Sequence, residues 1–188
     1  MDKTHQSAIV LSPSLDAWAP IQAIREQHDR NARRWKPHVT LVYPFRPKDQ
    51  FDAIANDFGE ACRNVDPIEV CLNRFNFFQH GRRGFTMWLD PEPAEAIGIL
   101  QEALWQVVPD CDETRKHKNI FTPHLSVGQV KRRNELDALI AEFQAGWTPL
   151  IFQATCVDLI WRNDRPDDIF RVGYSVSLGT GDVQRVKM

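Results

Sequence analysis

The sequence predicts an α+β fold of two pseudo-symmetric lobes, with largely antiparallel sheets lining a central cleft and helices outside. Three observations carry that expectation. The same succession of strand, helix, strand, helix and extended run occurs twice along the chain. Residues 170–178 alternate apolar with small or polar side chains, the pattern of a strand with one buried face. Gly81 and Gly84 bracket a turn between two strand-like runs, which is a hairpin signal. Strands alternating with helices also fit a doubly wound parallel sheet, but the duplication and the antiparallel signals favour two lobes.

Taken in order, residues 7–12 read as a short buried strand. A helix near 16–31 follows, with Trp18, Ile21 and Ile24 on its apolar side and Pro20 tolerable only in its first turn. Residues 37–43 form the next strand. The helix near 50–64 has apolar residues at 51, 54, 58, 61 and 65, close to a 3.6-residue period, and an extended run covers 68–78. In the second half, the strand at 85–89 is expected to stop at Asp90-Pro91. A helix near 93–108 aligns Ile97, Leu100, Leu104 and Val107, and a strand covers 123–127. The helix near 134–146 turns Leu136, Leu139, Ile140 and Phe143 inward, and a single extended run spans 152–161. No low-complexity tract or linker interrupts the chain, so residues 1–188 are expected to form one domain of two interleaved lobes.

Composition excludes several classes. With 43% hydrophobic and 26% charged residues, the 188-residue chain is globular rather than disordered. No stretch approaches the ~20 apolar residues of a membrane span, and residues 1–6 lack the apolar core of a secretory signal. Cys62, Cys71, Cys111 and Cys156 are scattered without a Cys-x-x-Cys spacing, as expected of reduced thiols in a cytoplasmic protein. The net charge is −2, but its distribution is uneven. Windows of ten residues either side of His38 and His124 hold 12 of the 23 Lys and Arg residues and one acid, Asp29. A local attraction for an anion follows, unless these are only solvated loop charges.

Each half carries one copy of the same short motif, Pro37-His38-Val39-Thr40-Leu41 and Pro123-His124-Leu125-Ser126-Val127. On a strand, residues i and i+2 share a face. His38 would therefore project with Thr40, and His124 with Ser126, while Val39, Leu41, Leu125 and Val127 enter the core. An imidazole with a half-protonation point of ~6.5 gives or takes a proton near neutrality, and a neighbouring hydroxyl can donate to a phosphate oxygen. Two such sets across one cleft would supply a base on one side of phosphorus and an acid on the other, as in-line displacement requires. His-x-Ser/Thr alone is weak, since His5-Gln6-Ser7 also satisfies it. The preceding proline, the flanking apolar residues and the equivalent places in the two halves set the pair apart.

These motifs and their flanks, Trp35 to Phe45 and Phe121 to Gln129, resemble the two-histidine (2H) phosphoesterase superfamily, in its 2′-5′ RNA ligase-like or cyclic phosphodiesterase branch. The resemblance implies a bilobal fold, a cleft, no cofactor and no obligatory metal. It also implies an enzyme that hydrolyses a 2′,3′-cyclic or 2′-5′ phosphodiester of a nucleotide or RNA end. By that analogy His38 and His124 are catalytic, with His124 activating water and His38 protonating the departing oxygen, and Thr40 and Ser126 bind phosphate. Expected further contacts are Tyr43, Phe45 and Phe121 as stacking aromatics, Lys36, Arg46, Arg82, Arg83, Lys118 and Lys131 as cations, and His80 and Gln129 as polar neighbours. His5, His28 and His117 are read as surface residues. The expected partner is a nucleotide or single-stranded RNA end, with no membrane, and the chain is expected to act as a monomer. A catalytically silent RNA- or nucleotide-binding protein using the same cleft is the alternative.

Overall fold

The computed structural model describes residues 2–81, 84–115 and 121–186. The principal elements are β1 (Ser7–Leu11), α1 (Trp18–His28), β2 (Val39–Val42), α2 (Phe51–Arg63), β3 (Ile68–Gln79), β4 (Phe85–Glu92), α3 (Ala94–Val107), β5 (Leu125–Val130), α4 (Arg133–Gly146), β6 (Leu150–Ala154), β7 (Cys156–Trp161), β8 (Arg171–Ser177) and β9 (Val183–Arg185). The strands form one sheet in the order β6-β3-β4-β5-β2-β1-β7-β8-β9, and every pairing is antiparallel. Among the described residues no helix is long and apolar enough to cross a membrane.

That order is nearly a palindrome about the β5–β2 junction. On one side stand motif strand, first strand and extended run (β5, β4, β3); on the other stand β2, β1 and β7. The junction is a single residue pair, Val39 with Leu125. These are the central residues of the two motifs, so the pseudo-two-fold axis passes between them. The lobes are interleaved. The extended run of the first half, β3, pairs with β4 through the expected hairpin, and β7 pairs with β1. The helices also cross over, with α1 against β5 and α3 against β2.

Burial follows the helical period. α2 buries Phe51, Ile54, Ala55, Phe58, Gly59 and Cys62, and α3 buries Ile97, Leu100, Gln101 and Leu104. α4 buries only Leu136 fully, while Leu139, Ile140 and Phe143 lie half-buried against the core. α1 stops at His28 because Asp29 turns extended, where its carboxylate accepts the backbone N–H of Asn31.

The structure corrects three strand expectations. β4 runs through Asp90-Pro91 to Glu92. Proline is tolerated there because β5 pairs only with Phe85–Leu89, leaving Pro91 with a partner on one side alone. The run 152–161 is two strands, divided at Thr155, and the chain passes from the outer edge of one lobe to the middle of the other. Finally, β8 does not keep one buried face. A register shift places Val172 opposite Ile160 but Tyr174 opposite Leu159. Gly173 is thus the extra residue of a bulge. Val172 accordingly packs, as do Trp35 and Tyr43, against the small cluster of Ala8, Val10, Ile160 and Phe170, and Tyr174 packs against the main core.

Candidate active site

The two histidines immediately precede β2 and β5, where the strands begin to diverge from their loops. Val39 and Leu125 are paired and wholly buried. Continuing that antiparallel register by one residue sets His38 opposite Ser126 and Thr40 opposite His124. All four then point away from the core, to the cleft face. Directly opposed Cβ atoms on one sheet face are about 5 Å apart and diagonal ones about 7 Å. His38 and His124 form such a diagonal pair, near enough for each other's charge to be felt.

Each imidazole is held by the same backbone device. Nδ1–H of His38 donates to the Lys36 carbonyl at 2.6 Å, and Nδ1–H of His124 donates to the Thr122 carbonyl at 2.9 Å. A carbonyl only accepts, so Nδ1 carries the proton in both rings and Nε2 keeps its lone pair. In His38 that lone pair accepts the Thr40 hydroxyl at 3.0 Å. Aromatic rings fix the orientations. Trp35 stacks on His38 at 4.6 Å, while Phe78 and Trp88 meet His124 edge-on at 4.9 and 6.0 Å.

Burial makes both imidazoles hard to protonate. It lowers His38 to about 4, with further depression from the charges of Arg25 and His124. His124 is also lowered, chiefly by burial and then by the nearby His80. Both rings are therefore neutral near pH 7 in the free protein.

Beneath the rings lies a buried charged network that sequence reasoning missed. Arg25, 1% exposed, donates through Nε and Nη2 to Oδ2 of Asp29, and through Nη2 to the Trp35 carbonyl. Oδ1 of Asp29 accepts from Nε2 of Gln129 at 3.0 Å, and Oε1 of Gln129 accepts the Arg30 backbone N–H. The end of α1 is thereby tied both to the loop carrying Trp35 and to β5. The i, i+4 spacing of Arg25 and Asp29 was the available signal, but it does not distinguish a buried pair from a surface one. Thr86, Trp35, Phe78 and Trp88 were likewise missed. Trp88, directly opposite Ser126 on β4, has a buried indole N–H without a hydrogen-bond partner among the described residues.

The central cavity, about 260 Å³, is lined by His38, Thr40, Tyr43, Ser126, Gln129 and Arg25 among others. His124 is not in that lining; its ring sits beside the cavity among Phe78 and Trp88. A neighbouring depression of about 720 Å³ shares Arg30, Thr86 and Gln129 with it and adds His28, His80 and Lys131. His80 is exposed there, hydrogen-bonded to the Thr86 hydroxyl at 2.9 Å.

Several expected contacts move elsewhere. Phe45 is fully buried between Phe51 and Phe58, because the strand face after Tyr43 turns into the core. Arg46 is 5% exposed and pairs with Asp110, so its charge serves the packing of a loop and not the cleft. Phe121 is half-buried against the main core. Lys36 lies over the Trp18 ring, outside the central cavity, and only its carbonyl engages His38. The Gln129 side chain lines the cavity, but the network described above holds both ends of its amide. Tyr43 lines the cavity with its hydroxyl donating to the His5 carbonyl. His28 is half-buried, not a surface residue, because Gly128 lets β5 press onto it. Arg82, Arg83, His117 and Lys118 lie outside the described residues. All four cysteines are free thiols.

Comparison with known proteins identifies the family and the fold. Residues 13–166 match the family model of the 2′-5′ RNA ligase superfamily. A curated protein of Geobacillus kaustophilus (strain HTA426), named "Putative phosphoesterase GK0864", is 24% identical over 106 residues, 56% of this chain and 58% of its own length. The fold is similar to that of TT0787 from Thermus thermophilus, with TM-score 0.59 and 18% identity over 92% of this chain and 97% of that one. It is also similar to E. coli LigT, solved in apo form (TM-score 0.58) and complexed with 3′-AMP (0.53), at 12% identity with full coverage of both chains. The match places the chain in the class of the two-histidine phosphoesterase superfamily. The chain belongs to the 2′-5′ RNA ligase superfamily.

Proposed function

We propose that this protein hydrolyses a cyclic or 2′-5′ phosphodiester of a nucleotide or RNA end, with His38 and His124 as a metal-independent acid–base pair. The observation that carries this reading is the Val39–Leu125 pairing, which brings both motifs onto one face. In the reaction His124 takes a proton from water as its oxygen bonds to phosphorus. The P–O bond to one ribose oxygen breaks, and protonated His38 delivers its proton to that oxygen. Proton exchange with solvent restores both rings. Thr40 and Ser126 donate to the non-bridging oxygens, where charge accumulates. Bound phosphate competes for the Thr40 hydroxyl that otherwise occupies Nε2 of His38. Tyr43 borders the central cavity, and His80, Arg30 and Lys131 line the basic depression beside it, where a second phosphate of a longer substrate would fit. The complex of E. coli LigT with 3′-AMP supports a nucleotide as the class of ligand.

The test is turnover of a panel of 2′,3′-cyclic nucleotides and 2′-5′ dinucleotides, with the product phosphate located by phosphorus NMR. Replacing either histidine with alanine should reduce kcat at least ~10²-fold while leaving the circular dichroism spectrum unchanged. Excess EDTA should leave activity intact. Full activity in either alanine variant, or its loss in EDTA, refutes the mechanism.

A further inference from the structure

A larger cavity, about 490 Å³, opens on the other side of the His38 and Trp35 rings, both of which line it. Its floor is the cleft face of the sheet. Pairing runs Thr40 to Val10, Val10 to Asp158, and Asp158 to Ser175, one cross-strand row over β2, β1, β7 and β8. Neighbouring strands are about 4.8 Å apart, so Asp158 lies about 10 Å along the sheet from Thr40, roughly the length of a nucleoside. The walls combine aromatic and apolar side chains, Trp18, Trp35 and Phe170 among them, with Lys36, Arg171 and Gln153, and Leu15 is 76% exposed.

Asp158 is the one carboxylate in that lining. The residue is 9% exposed, and burial pushes its pKa up. It has hydrogen bonds from the hydroxyls of Ser12 to Oδ2 and Ser175 to Oδ1, both from cavity-lining residues. Among the described residues no cation is ion-paired with it. Each oxygen thus accepts one hydroxyl and retains a lone pair. Two hydroxyls offset only part of the cost of burying a carboxylate, and a ligand with donors aimed at its remaining lone pairs would offset more.

We infer that this cavity is a base-recognition pocket selective for guanine, read by the Asp158 carboxylate. This rests on the phosphodiesterase reading, since the phosphate is taken to sit at Thr40 and Ser126. Guanine presents two adjacent donors, N1–H and the 2-amino group, which match the two carboxylate oxygens. Adenine and cytosine set one donor beside an acceptor, and uracil flanks its single donor with carbonyls. Each of these turns a lone pair toward the carboxylate. Trp35 forms the wall between base and phosphate and is positioned to pack on the ribose side of the ligand.

Calorimetry with guanosine and inosine 3′-monophosphates tests the pocket without turnover, because inosine differs only in lacking the 2-amino donor. The wild-type protein should bind the guanosine compound about tenfold or more tightly. In Asp158→Asn the ratio should fall toward one. Equal binding by the wild-type protein, tighter binding of adenosine 3′-monophosphate, or an undiminished ratio in Asp158→Asn overturns the inference. The wild-type comparison does not depend on any variant folding. Guanine-selective binding with no phosphodiester turnover would sink the proposed reaction and leave the pocket standing; turnover without base selectivity would do the reverse.

Discussion

The neutral state of His38 makes a demanding prediction about when the site becomes competent. Half-protonated at about 4 in the free protein, the ring carries a proton in about one molecule in a thousand at pH 7, too few for an efficient general acid. A phosphate anion alongside changes this. One unit charge about 4 Å away, at an effective dielectric constant of about 20, attracts the imidazolium by about 4 kcal/mol. That is a thousandfold gain in proton affinity, enough to bring half-protonation to about neutrality. The substrate would therefore charge its own acid. Labelled-histidine NMR should show His38 titrating far below the ordinary histidine range in the free protein, and close to neutrality when saturated with a nucleoside 2′-monophosphate. The sign follows for the rates. kcat, which reports the complex, should fall as pH rises past neutrality and His38 loses its proton. Titration of free His38 near 6.5, or no movement on ligand binding, would refute the reasoning.

Three variants test the supporting framework. Asp29→Ala leaves the Arg25 guanidinium buried without its carboxylate and should cost about 3–5 kcal/mol in urea unfolding. Gly128→Ala would place a Cβ 2.7 Å from Cβ of His28. Separating β5 from α1 should cost about 1–3 kcal/mol and reduce kcat as Ser126 shifts, measured by thermal unfolding and steady-state kinetics. Arg46→Ala, which removes the partner of Asp110, should lower the unfolding midpoint and leave KM unchanged; a several-fold rise in KM would return Arg46 to the binding site.

Periodicity and motif were enough to place the α-helices, the hairpin at Gly81 and Gly84, and the two-lobed α+β class. Local rules failed where a neighbour decided the outcome. Pro91 should end a strand, yet it has a pairing partner on one side only. The alternation of residues 170–178 is real, but the bulge at Gly173 exchanges the buried face, and nothing in a single strand's pattern records its partner's register.

The site divides the same way. His38, Thr40, His124 and Ser126 could be singled out as candidates from two short motifs because side-chain direction at that scale is local: strand periodicity alone turns each histidine and its hydroxyl together. Which cations and aromatics join them is not local. Phe45 and Arg46 stand next to the first motif in sequence, yet one is core and the other is paired with Asp110. Arg25, Trp88 and Asp158 are remote in sequence but border the cleft through cross-strand pairing and helix packing. The sequence by itself determined the repeated motif and the pairing of each histidine with a hydroxyl on one strand face. Tertiary structure decided the meeting of the two copies at Val39 and Leu125, and with it the burial that leaves the imidazoles neutral, because burial and charge proximity arise only when distant segments share one low-dielectric space.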